Sequence, residues 1–294
     1  MEFKYYSVKE ILNFIEENHL SINKKFGQNF LINSGVCDTI VKSLEIKEND
    51  VVFEIGCGLG SLTNRLIESG CKRLVGFEID RAYIKHIKTL FAGYDNFNLI
   101  EGDFLKTFED AMKQYVGPDD NLIITGNLPY YITTPILEKI FTSDLNISKA
   151  AFMMQKEVAE RIISPPGTKK YGSLTIFCNF HSDPKIVAKI SPSSFHPRPN
   201  VDSSVVRFTI VKDKYPVKDK TLFFKVSRSL FINRRKQLRN NLMNSPFLKD
   251  LEQVDLVALL EKSGISPNDR GEILSIPQIC ELTDNIFEFV KSQK

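Results

Sequence analysis

The chain has no C-x-x-C pair. Its five cysteines (Cys37, Cys57, Cys71, Cys178 and Cys280) are scattered, and no histidine stands at metal-ligand spacing from any of them. Neither a structural zinc site nor a disulfide framework is expected, no metal is called for, and thiol usage of this kind fits a reducing compartment. No stretch reaches 18 consecutive apolar residues, and the opening MEFKYYSVKEILNFIEENHL mixes Lys and Glu with apolar residues where a secretory leader needs an uninterrupted apolar run. The expectation is a cytoplasmic protein without a membrane partner. Internal repeats and low-complexity tracts are missing. The four histidines (His19, His86, His181, His196) form no arrangement with Ser, Cys or carboxylate that suggests a nucleophilic dyad. A net charge of only +3 names no partner by itself.

What is present is an ordinary globular composition. With 294 residues, 42% apolar and 26% charged, the chain can bury one large core or two ordinary ones. Its first two thirds alternate β-branched or apolar runs with helical periodicity. VVFEI (51–55), RLVGFEI (73–79), FNLIEGD (97–103), NLIITG (121–126) and KAAFMMQ (148–154) read as buried strands, whereas LTNRLIES, RAYIKHIKTLF and PILEKIF place apolar residues at i, i+3 and i+4. This alternation predicts an α/β fold with a doubly wound, mostly parallel sheet. PKIVAKI and SSVVRFTIV, separated by the Pro-studded SPSSFHPRPNVD, add two strands near the sheet edge. Beyond residue 218 only helical periodicity remains, so a boundary is placed near 212–218, between a domain of residues 1–214 and a smaller all-helical domain of residues 215–294.

The sharpest local pattern is EIGCGLG (54–60), directly after the first strand and before a helix. Gly56 and Gly58 would let a ligand approach the backbone closely, and the helix start offers free N–H groups. A dinucleotide fingerprint needs glycine at 61, where the chain has Ser61, so a nicotinamide cofactor is disfavoured. Alone, such a loop also fits a plain tight turn. Glu78 ends the second strand, where a carboxylate can accept ribose hydroxyls, though a solvated strand-end glutamate is the plain alternative. Asp103 ends the third strand, in position to accept from an adenine amino group. Asn127-Leu128-Pro129-Tyr130 ends the fourth. There a carboxamide and a backbone carbonyl held rigid by proline could accept both hydrogens of an exocyclic amine, and Tyr130 could stack on the base. Consecutive strand ends of a parallel sheet converge on one crevice.

Together with KKFGQNFL (24–31), FEID (77–80), GDF (102–104), NLPYYIT (127–133), MQKEVAER (154–161), YGSL (171–174), FHPRPNVDS (195–203) and LFINRRKQLRNNL (230–242), these motifs make the chain resemble the KsgA/RsmA-type small-subunit rRNA adenine N6,N6-dimethyltransferases. The resemblance runs from about residue 20 to the end. It implies a Rossmann-like, seven-stranded methyltransferase fold and S-adenosyl-L-methionine as cofactor. The substrate it implies is two adjacent adenosines near the 3′ end of small-subunit rRNA, met in a pre-ribosomal particle by a monomeric enzyme. By the same resemblance Asn29, Leu31, Gly56, Gly58, Glu78, Asp103 and Asn127 hold the cofactor. Asn127, Leu128, Pro129 and Tyr130 form the methyl-transfer site, and Phe195 is a second stacking wall opposite Tyr130, although among prolines it also fits a core aromatic. Lys24 and Lys25 line the RNA side, unless they are merely solvated. Two positions depart from many relatives: Tyr131 replaces Asn and His196 replaces Tyr. Rival readings are a large-subunit rRNA dimethyltransferase and a non-catalytic assembly or transcription factor on the same fold.

Charge distribution adds a second site. Lys220 to Lys249 carries eight basic residues and no Asp or Glu, whereas the stretch from Asp250 onward carries nine acidic and four basic residues. Clustered cations suit a polyanion, and a solvated helix face is the alternative. On a helix beginning near Arg234, Arg235 and Arg239 would share the RNA side with Lys236 a further 100° round, while Arg234 would pin the helical domain to the catalytic one through a carboxylate.

Overall fold

The computed structural model describes residues 3–18, 28–129, 132–143, 146–246, 248 and 253–292. Its strands are β1 (Phe30–Leu31), β2 (Asp50–Ile55), β3 (Arg73–Glu78), β4 (Phe97–Glu101), β5 (Asn121–Asn127), β6 (Ile147–Gln155), β7 (Ser182–Ile190), β8 (Phe195–His196) and β9 (Ser203–Ile210). The α-helices are α1 (Val8–Glu17), α2 (Ser34–Leu44), α3 (Ser61–Ile67), α4 (Arg81–Leu90), α5 (Phe104–Tyr115), α6 (Thr133–Phe141), α7 (Lys156–Ile162), α8 (Ser173–His181), α9 (Lys220–Ser229), α10 (Leu238–Met243), α11 (Gln253–Lys262) and α12 (Ile276–Ser292).

Seven strands form one sheet in the order β4-β3-β2-β5-β6-β9-β7. Pairings from β4 to β6 are parallel, and β9 runs antiparallel to β6. All six residues of β2 are buried, as expected of a central parallel strand covered on both faces. The helices that follow β3 and β4 start where a carboxylate caps them: Asp80 accepts from the Ala82 N–H at 3.1 Å and Asp103 from the Leu105 N–H at 3.0 Å. The expected mostly parallel sheet is therefore observed, with the segment 203–210 inserted between β6 and the edge strand β7.

The chain divides into two compact units, Met1–Ala159 with Pro184–Ile210, and Glu160–Asp183 with Val211–Lys294. This corrects the single boundary expected after residue 214. Tyr171, Ile176 and Phe180 share one apolar cluster with Phe223, Val226 and Leu230, and the Phe180 and Phe223 rings lie 4.4 Å apart. Burial of these aromatics draws the 160–183 segment into the helical unit. Its short helix α8 and the two-residue ladder of β1 with β8 were both absent from the periodicity, the ladder being too short to show any. Among the described residues no helix is long and apolar enough to cross a membrane.

Candidate active site

Parallel register levels the C-terminal ends of the central strands. Ile55 pairs with Phe77 on one side and Gly126 on the other, and Glu78 pairs with Glu101. The residues at those ends therefore emerge along one edge, where strand order reverses between β2 and β5. A cleft of about 220 Å³ opens there, and Asn29, Leu31, Gly56, Gly58, Glu78, Asp103, Asn127 and Pro129 all line it. These expected site residues come from five separate stretches of chain.

Glu78 is 6% exposed and densely bonded. Its Oε2 accepts the Gly58 N–H at 2.8 Å, and its Oε1 accepts those of Ile79 and Asp80, each at 2.9 Å. Burial raises its carboxyl above the ordinary 4.5, and the three amide donors pull the other way. A carboxylate has about four acceptor positions, so three amides leave room for one further strong bond, on Oε2. One ribose hydroxyl fits this arrangement better than the two expected from sequence. Gly56 and Gly58 have φ of +77° and +54°, values that disfavour a side chain, and a Cβ on Gly56 would meet nothing within 4 Å. The loop thus leaves open space beside the carboxylate for a ligand.

Asp103 uses Oδ1 to cap α5, which leaves its other oxygen to face a ligand donor. Asn127 donates from Nδ2 to the Asn29 carbonyl at 2.9 Å, so its carboxamide presents Oδ1 as acceptor. Leu128 is 1% exposed and its N–H donates to Met153 at 3.1 Å. The Pro129 carbonyl accepts from the Ile132 N–H at 3.1 Å and from the Thr133 hydroxyl at 3.3 Å. Tyr130, Tyr131, Lys24 and Lys25 lie outside the described residues.

Phe195 requires a correction. It is 1% exposed, pairs with Leu31 across the β1–β8 ladder, and belongs to the core cluster that contains Ile190, Met153 and Val205, so it is a core aromatic and no wall of the cleft. The basic stretch also differs from expectation. Arg234, Arg235 and Lys236 lie exposed in turns before α10, and Arg239 is half-buried in the first turn of α10. The Asn233 carboxamide accepts the Arg235 N–H at 3.2 Å, and this local turn chemistry displaces the helix start to Leu238. Arg234 does find a carboxylate, Glu272 at 3.7 Å, and donates to the Tyr171 carbonyl. Both partners belong to its own unit, so the expected pin between domains becomes a brace within the helical one.

Sequence reasoning missed the apolar side of the cleft. Phe30, Leu59, Ile79, Tyr83 and Phe104 line it, and Ile79 is 45% exposed. A bulky apolar residue straight after the strand-end Glu78 was the available signal. A purine face would cover it.

The cleft therefore combines a buried acceptor carboxylate, a capping carboxylate, an oriented carboxamide and an apolar shelf. A model of the ribosomal RNA adenine dimethylases matches residues 19–285. The chain belongs to that family. The dimethylase is 40% identical over 274 residues to the ribosomal RNA small subunit methyltransferase A of Clostridium acetobutylicum, covering 93% of this chain and 96% of the relative. It is 38% identical over 285 residues to the protein of that name from Lachnoclostridium phytofermentans, covering 96% and 98%. Among solved structures it is similar to a dimethyladenosine transferase from Plasmodium falciparum, with TM-score 0.76, 27% identity, and 90% and 98% of the two chains covered. The 23S rRNA methyltransferase ErmE shares the fold at TM-score 0.64 and 22% identity, over 88% and 100%.

Proposed function

We propose that the protein transfers methyl groups from S-adenosylmethionine to N6 of two adjacent adenosines near the 3′ end of small-subunit rRNA, two methyls to each, acting as a cytoplasmic monomer on a pre-ribosomal particle. The observation that carries this reading is the Asn127 carboxamide, which lines the cleft and is turned by its bond to the Asn29 carbonyl so that Oδ1 is left as an acceptor.

The residues present fit the cofactor. Glu78 has one acceptor position left that would take a ribose hydroxyl, the second oxygen of Asp103 would accept from the adenine amino group, and Ile79 and Phe104, which line the cleft, would flank the purine. Gly56 leaves open space that would admit the methionine part. When bound, S-adenosylmethionine supplies an electrophilic methyl on a sulfonium sulfur. Asn127 Oδ1 and the Leu128 carbonyl each accept one hydrogen of the target amine. Two acceptors pull that nitrogen's lone pair out of conjugation and aim it along the line of displacement. A neutral amine attacking a cationic donor asks for positioning more than for a strong base. Tyr130 is the aromatic the motif assigns to stack on the splayed-out adenine, and Lys24, Lys25, Arg235, Lys236 and Arg239 are the cations assigned to the rRNA backbone.

Mass spectrometry of small-subunit rRNA from cells with and without the gene tests the reading. Loss of the dimethyladenosine pair in the deletion strain supports it. An unchanged small-subunit pair, or a loss confined to large-subunit rRNA, overturns the substrate.

A further inference from the structure

The N-terminal segment Phe3–Glu17 lies before the residues that the family model matches, yet it packs on the cleft. Ile11, on α1, is fully buried in a cluster with Phe30, Leu59 and Tyr83, and all three of those side chains line the cleft. The Phe14 and Phe3 rings lie 4.1 and 4.9 Å from His86 on α4, the helix that carries Tyr83. A second grip falls on Ser61, which opens α3 and also lines the cleft. The Tyr6 hydroxyl donates to the Ser61 carbonyl at 3.1 Å, and the Ser61 hydroxyl donates to the Tyr5 carbonyl at 3.4 Å. Phe30 in turn sits over Gly58, whose absent Cβ would stand 3.5 Å from its ring, and Gly58 is the residue that donates to Glu78.

Apolar walls keep their shape only when backed by close-packed neighbours. The far side of Phe30, Leu59 and Tyr83 is backed by Ile11. We infer that the segment Phe3–Glu17 is a positioning element for S-adenosylmethionine, with Ile11 holding the apolar wall and Tyr6 holding the start of α3. The inference rests on the functional reading above and adds to it a set of affinity determinants outside the motifs. Neither residue lines the cleft that Asn127 lines, so their loss weakens cofactor binding and leaves the chemical step intact.

The test uses the full chain with Ile11→Ala, Ile11→Val and Tyr6→Phe, assayed on small-subunit particles with varied S-adenosylmethionine, beside calorimetric titration of S-adenosylmethionine and melting curves. Leu44→Ala, fully buried at the end of α2 and not itself a lining residue of the cleft, serves as a control for lost stability. The expected result is a KM for S-adenosylmethionine raised about tenfold by Ile11→Ala and two- to threefold by Tyr6→Phe. Saturating kcat should stay within twofold of wild type, Ile11→Val should recover most of the affinity, and Leu44→Ala should leave KM unchanged despite a lower melting temperature. Unchanged KM in Ile11→Ala and Tyr6→Phe, or a KM that rises equally in Leu44→Ala, overturns the inference while the functional reading stands. A wild-type protein that takes up no S-adenosylmethionine overturns both.

Discussion

The Asn127 carboxamide is turned by the Asn29 carbonyl, 2.9 Å away and 98 positions distant in the chain. That bond ties the end of β5 to the residue before β1 and decides which face of the carboxamide an incoming amine meets. Asn127→Ala should reduce kcat by about 10² or more, because its acceptor matters most as the amine nitrogen gains positive charge. Cofactor affinity should change by less than the turnover does. Single-turnover rates beside calorimetric titration check both. Equal losses in kcat and in cofactor affinity would give Asn127 a binding role instead.

Glu78 predicts a coupled loss. In Glu78→Ala the ribose loses one charge-assisted bond, worth about 1.5 to 3 kcal/mol, so affinity should fall roughly ten- to a hundredfold. The Gly58, Ile79 and Asp80 amides lose their acceptor in the same step, so the melting temperature should fall as well. Calorimetry and thermal unfolding on one preparation check the pair.

These two residues show how far the sequence carries. Gly56, Glu78, Asp103 and Asn127 were legible because each closes a strand, and parallel strands bring their C-terminal ends level. Pairing within the site was not legible: nothing in the spacing says that Asn29 turns Asn127, or that Glu78 spends three acceptor positions on backbone amides. Phe195 marks the same limit from the other side. The resemblance made it a stacking wall opposite Tyr130, whereas the two-residue ladder with Leu31 takes it into the core, the alternative its proline-rich surroundings also allowed. Phe180 and Phe223 meet across a long separation, and no local pattern could place the 160–183 segment in the helical unit. Nor does charge counting distinguish Arg234, held by a carbonyl and a carboxylate, from Arg235 beside it.

Stability should respond to pH in opposite senses in the two units. Burial pushes the Glu54 carboxyl up to about 8, against the weaker pull of Thr63 and Cys57, with the Glu78 charge adding to the rise. The folded state therefore binds this proton more tightly than the unfolded chain does, and the stability it contributes is present below 4.5 and lost as pH rises through 8. Burial among Phe177, Phe180 and Phe224 pushes His181 down to about 4, with the Lys220 charge adding to the fall. Its contribution is lost as pH falls from 6.5 to 4. Melting curves from pH 4 to 9 should show a decline on both flanks. Glu54→Gln should flatten the alkaline flank, whose slope is at most about 1.4 kcal/mol per pH unit for one proton. An alkaline flank identical in Glu54→Gln would place the responsible group elsewhere.

Neighbouring arginines should separate stability from RNA binding. Arg234, Arg235 and Lys236 are all exposed, and Arg234 is braced by Tyr171 and Glu272. Each phosphate contact removed lowers the slope of log K against log salt by roughly 0.7 to 0.9. Arg235→Ala with Lys236→Ala should therefore flatten the salt dependence of binding to small-subunit particles by about 1.4 to 1.8, with melting temperature and cofactor affinity near wild type. Arg234→Ala should do the reverse: the Tyr171 carbonyl and Glu272 lose their cation, the melting temperature drops, and the slope stays within about 0.3 of wild type, less than one phosphate contact is worth. A salt series and a melting curve on both variants decide between a phosphate-facing turn and a structural one. Should the double variant leave the slope unchanged while Arg234→Ala flattens it, the RNA-facing cation is Arg234, and its bond to Glu272 must open when rRNA binds.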